Sequence, residues 1–120
     1  MVYKHIVMWK FKEQHNGKSA LENARWMKEQ LEALVGVVPE LLSAEVGISP
    51  ALEQAAAAAS NAAAVPAPAA SGEYDACLVS TFASPEALAA YKVHPKHKAI
   101  SAYCKEARLK RLAFDWWSEE

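Results

Sequence analysis

No charge of either sign dominates this chain. Thirteen Lys and Arg face 14 Asp and Glu, a formal net charge of −1 over 120 residues. Without a broad cationic field, nucleic acid and acidic membrane surfaces are not expected as partners. No apolar run approaches the roughly 20 residues that span a bilayer, so no membrane partner is expected either. Cysteine is scarce: Cys77 and Cys104 lack any metal or redox spacing and read as small buried hydrophobes in a reduced compartment. C-x-x-C, H-x-x-x-H and a glycine-rich phosphate loop are all missing, so no cofactor and no resident metal are expected. Lys4, Lys10 and Lys12 interrupt the apolar start MVYKHIVMWKFK, against a secretory signal. The expected location is cytoplasmic.

What is present is enough for one core. Hydrophobic residues make up 52% of the chain and charged residues 22%, the balance of a single globular domain. Val2–Phe11 alternates as a strand, with Tyr3, His5, Val7, Trp9 and Phe11 on one face. Val2, Ile6 and Met8 make the other face apolar as well. Asn16-Gly17 marks a turn in a polar loop, and Ser19 with Glu22 forms a capping box. Leu21, Ala24, Met27, Leu31, Leu34 and Val35 then recur at helical spacing, with Gly36 as the expected C-terminal cap. Leu41–Val46 reads as a second strand.

Residues 50–72 are poor in large side chains and rich in alanine and proline. They read as an insertion: a marginal helix, then a connector that Pro66 and Pro68 keep from being helical. Tyr74–Phe82 is a third strand, apolar on both faces. Ser84-Pro85-Glu86 opens a helix, Pro95 breaks it, and a second segment carries Ala99, Ile100, Tyr103 and Cys104 inward. Leu109–Trp117 is the last strand. Arg108, Lys110 and Arg111 on it read as a solvated edge.

The order β-α-β-β-α-β predicts an α+β, ferredoxin-like subunit with a four-stranded antiparallel sheet and helices on one face. The other sheet face is too apolar for water. Its simplest cover is a second copy, so the chain is expected to be its own partner in a homodimer through that face.

Three stretches carry a family resemblance: the opening VYKHIVMWKFK, the EVG that closes the second strand, and YDACLVSTFASPEALAAYKVHPKH with a terminal FDW. Together they resemble the Dabb family, the stress-responsive A/B barrel domains. The resemblance covers the whole chain, 1–120, as one domain, apart from the insertion. It implies that two subunits form a dimeric α/β barrel. A plant branch of the family includes a polyketide cyclase, and His5, Tyr91 and His97 match the residues which that branch uses. A further histidine of that branch on the third strand is replaced here by Ala76.

From the residues alone, three readings stand. His97 as base, Tyr91 as donor to a developing oxyanion and His5 as relay would suit enolisation of a small carbonyl or aromatic ligand. Alternatively these groups are structural, with His94 capping the helix that Pro95 begins and His97 holding Tyr91 or a strand. A metal would need His94 and His97 to recruit a third ligand, His5 or one of Asp75 and Asp115, beside the unfavourable charges of Lys96 and Lys98. His15 reads as solvated.

Overall fold

The computed structural model describes residues 1–60 and 73–119. The connector expected at residues 61–72 lies outside the described residues.

Strand β1 (Val2–Phe11) leads into a short hairpin of β2 (Gln14–His15) and β3 (Lys18–Ser19). Asn16 and Gly17 both hold positive φ, 56° and 74°, as a two-residue turn between twisted strands demands. Helix α1 (Ala20–Glu32) starts on the expected capping box. The Ser19 hydroxyl accepts the Glu22 amide at 3.1 Å, and the Glu22 carboxylate accepts the Ser19 amide at 3.1 Å. The helix ends earlier than its apolar stripe suggests, at Ala33 rather than Gly36. Leu34 and Val38 are both buried, and the tight turn that tucks them under the helix end uses Gly36 at φ 87°.

The second strand of the sheet, β4, is Ser43–Ile48, two residues later than the sequence suggests. Leu41 is instead a core plug. Helix α2 (Pro50–Ser60) forms where a marginal helix was expected. Strand β5 (Ala76–Phe82) follows, then α3 (Pro85–Val93), α4 (Pro95–Ala107) and β6 (Arg108–Ser118).

Apart from the β2–β3 hairpin and α2, the order is βαββαβ with its second helix broken in two. The main sheet runs β4-β5-β1-β6, antiparallel throughout. This is the ferredoxin-like arrangement.

Alternation and register divide the sheet into two faces. Val7, Trp9, Phe11, Val46, Ala76, Leu78 and Phe82 turn toward the helices and are buried with Met27, Leu31, Ile100 and Cys104. The opposite face carries Ile6, Met8, Cys77, Val79, Leu112 and Phe114. Leu112 is 49% exposed and Phe114 64%. An apolar sheet face is thus left open to solvent, as the two-sided pattern of β1 and β5 anticipates. Among the described residues no helix is long and apolar enough to cross a membrane.

Candidate functional site

Register places His5 between two polar neighbours, Ser80 on β5 and Asp115 on β6. The Ser80 hydroxyl donates to the His5 backbone carbonyl at 3.1 Å. The His5 ring meets Asp115 through Nδ1, 2.5 Å from Oδ1. A carboxylate only accepts, so Nδ1–H donates and the neutral ring keeps Nε2 as its acceptor nitrogen. Burial holds the His5 pKa below the ordinary histidine value, although Asp115 pulls the other way.

The helix break supplies the opposite wall. Proline disfavours helical backbone at the residue before it, and His94 accordingly takes φ −63° and ψ 134°. It closes α3 and caps α4, its Nδ1 accepting the Lys96 amide at 3.2 Å. His94 is therefore how α4 begins. His97, one turn further, reaches back across the break: its Nδ1 lies 3.3 Å from the Lys92 carbonyl. That carbonyl can only accept, so here too Nδ1 carries the proton and Nε2 remains basic. Burial lowers the His97 pKa; the Lys92 carbonyl raises it, while His5, Lys92 and Arg111 lower it further.

Tyr91 occupies the last turn of α3 and is 1% exposed. Its ring lies 4.3 Å from that of His97 and 5.1 Å from that of Phe82, centroid to centroid. The Tyr91 hydroxyl is the sole buried side-chain polar atom without a hydrogen-bond partner among the described residues. Burial pushes its pKa up, so it remains a donor.

Between these walls lies a cavity of about 230 Å³. His5 and His97 both line it, over apolar surface from Val7, Trp9, Leu78 and Ile100. Tyr91 stands against the His97 ring rather than on the cavity wall. The structure thus brings His5 and His97 to one space and sets Tyr91 behind the second of them.

The cavity also holds residues that sequence reasoning missed. Lys92, Arg108 and Arg111 line it; β6 is an edge strand with Lys110 and Arg111 exposed, as expected, but Arg108 and Arg111 also face the cavity. A register shift explains the difference. Phe11 pairs with Arg108 but Lys10 pairs with Lys110 and Trp9 with Arg111, so Leu109 is an extra residue. The bulge puts Arg108 and Arg111, three apart, on one face. Lys110 points the other way, to Glu73 at 3.2 Å and over the Tyr74 ring. Simple alternation cannot reveal this, because it separates residues three apart.

The remaining candidates fall elsewhere. Asp75 is buried beside β1, accepting from Phe11 N at 2.9 Å and Lys10 Nζ at 3.1 Å. His15 packs edge-on to Tyr103, with ring centroids 5.4 Å apart, and is partly buried rather than solvated. Among the described residues no three His, Cys, Asp or Glu side chains cluster closely enough to hold a metal.

The family model of the stress-responsive A/B barrel domain, Dabb, matches residues 3–118. Solved structures share the fold. A dimeric protein of unknown function and ferredoxin-like fold from Bacteroides fragilis is similar at TM-score 0.72 and 23% identity, over 98% of this chain and 96% of that one. A Dabb family protein from Mesorhizobium loti gives 0.64 and 14%, over 99% and 98%. The hydroxynitrile lyase from Passiflora edulis gives 0.68 and 18%, over 99% and 95%. Comparison with curated proteins found no match.

Proposed function

The chain belongs to the stress-responsive A/B barrel (Dabb) family, and on that footing we propose that it is a homodimer whose cavity binds and enolises a small carbonyl or aromatic compound. One observation carries the reading. Two imidazoles, His5 and His97, line one cavity, each with its Nδ1–H held by an oxygen and its Nε2 left as the basic nitrogen.

In the proposed chemistry His97 Nε2 takes a proton from a carbon next to the ligand carbonyl. The electron pair of the broken C–H bond moves to the carbonyl oxygen of the enolate that forms, while Tyr91 packs behind the His97 ring and holds the base in place. His5, oriented by Asp115, relays the proton onward. A volume of about 230 Å³ lies below the range usual for drug-sized ligands, so the substrate is small. The homodimer is supported by the open apolar face of Leu112 and Phe114 and by fold relatives described as dimeric.

A second reading rests on the bond from His97 to the Lys92 carbonyl, which staples α4 to α3. In it the histidines hold the helix break and the protein works as a non-enzymatic oligomer.

Thermal unfolding with small aromatic and β-diketone compounds separates the two. A ligand at about 100 times its dissociation constant adds roughly 2.7 kcal/mol. Stabilisation of the wild type that disappears in His97→Ala is expected for a binding site. A flat response, with His97→Ala simply less stable, would leave the structural reading.

A further inference from the structure

Around the cavity the local charge runs against that of the whole chain. Lys92, Arg108 and Arg111 line it, in a protein of net charge −1. No carboxylate pairs with Arg111 among the described residues. Asp115, the acid within its electrostatic reach, is engaged by His5.

We propose that the β6 wall of the cavity is a carboxylate subsite, in which Arg111, with Arg108 and Lys92, takes the acid group of a small organic anion. The assignment rests on the acid–base reading of the same cavity and names its substrate class: a small carboxylic acid whose carbonyl-bearing or aromatic remainder meets His97.

Guanidinium presents a planar fork of donors that matches the two oxygens of a carboxylate. Removing an unpaired cation from water is costly, and the cost is offset when an anion arrives. Arg111 meets that condition only in part: it lines the cavity yet stays exposed to solvent, with its partial burial and its neighbour Arg108 both acting against its charge. The bulge at Leu109 is what aims the two guanidiniums at one place; a regular strand would send Arg108 to the opposite face. The apolar surface of Val7, Trp9 and Ile100 suits the uncharged remainder of such an acid, and gives a fully hydrated inorganic anion nothing to gain.

The test is isothermal titration, at constant ionic strength, with matched acids and neutral amides: benzoate with benzamide, and pyruvate with pyruvamide. Inorganic phosphate is the third probe. The proteins are wild type, Arg111→Gln, Arg111→Lys and Lys105→Gln, a change at an exposed position of α4 outside the cavity lining. Thermal unfolding verifies that each is folded. At least one acid is expected to bind wild type roughly tenfold or more tightly than its amide, the scale of a charge-assisted hydrogen bond. Arg111→Gln should erase that preference, Arg111→Lys should restore part of it, and Lys105→Gln should leave it intact.

Equal binding of acid and amide would overturn the subsite while leaving the enolising cavity standing. Binding of phosphate but of neither acid would overturn the carboxylate assignment. Failure of every organic probe to bind would overturn both.

Discussion

The rings of Tyr91 and His97 lie 4.3 Å apart, on either side of the break that Pro95 makes between α3 and α4. Neither ring needs the other for a hydrogen bond. The imidazole spends its Nδ1–H on the Lys92 carbonyl, and the phenol has no partner.

Tyr91→Phe should therefore cost the fold little. The ring contacts with Phe82 and His97 remain, and a buried unsatisfied hydroxyl is removed. The melting temperature is expected to stay the same or rise, with a gain of up to about 1 kcal/mol. Ligand-induced stabilisation should change little, because the hydroxyl lies behind His97 and off the cavity wall. A clear drop in melting temperature would instead place the hydroxyl in the structure's own network.

The two histidines of HPKH should part company. His94 caps α4 through its Nδ1, so His94→Ala should destabilise by about 0.5–2 kcal/mol and leave ligand affinity unchanged. His94→Asn, which restores a capping acceptor, should recover most of the loss. His97→Ala should abolish the ligand response. Denaturant unfolding and ligand titration, run on the same samples, read both quantities.

Acid should weaken the fold through His5 and His97. Both have pKa values lowered in the folded state from the ordinary 6.5. The unfolded chain then binds more protons than the folded one in the interval between, so stability rises with pH there. The contribution is fully present above about pH 6.5 and declines as pH falls toward the lowered folded values. His5→Gln should flatten the stability curve in that window, as measured by unfolding from pH 7.5 to 5. A wild-type curve that is level across the window would contradict the burial of these rings.

Phe114→Glu should yield monomers. The side chain is 64% exposed on the open sheet face, opposite Ile6 on β1. A carboxylate there would have to be buried unpaired in a sheet-to-sheet dimer. Sedimentation should show the wild type at twice the mass of the variant, with similar circular dichroism. A dimeric variant would move the interface elsewhere.

Much of the architecture is written in local pattern. The period-2 alternation of β1 and β5, the capping box at Ser19, the Ser84-Pro85 start and the Pro95 break each act within a few residues. These are short-range steric and hydrogen-bonding preferences, so they are legible without a fold. The two apolar faces of β1 likewise announce a sheet that is apolar on both sides.

Register and bulges were not legible, because they depend on what a strand pairs with. The contact between His5 and Asp115 joins residues 110 apart in sequence and exists only because β6 lies against β1. One extra residue, Leu109, brings Arg108 and Arg111 of that solvated edge together on the cavity side. Which elements form and which faces are apolar follow from local order along the chain, since backbone sterics and hydrophobic periodicity act over a few residues. Which charges meet at the cavity follows from strand pairing alone, since a single unpaired residue in a β ladder reverses the facing of every side chain beyond it.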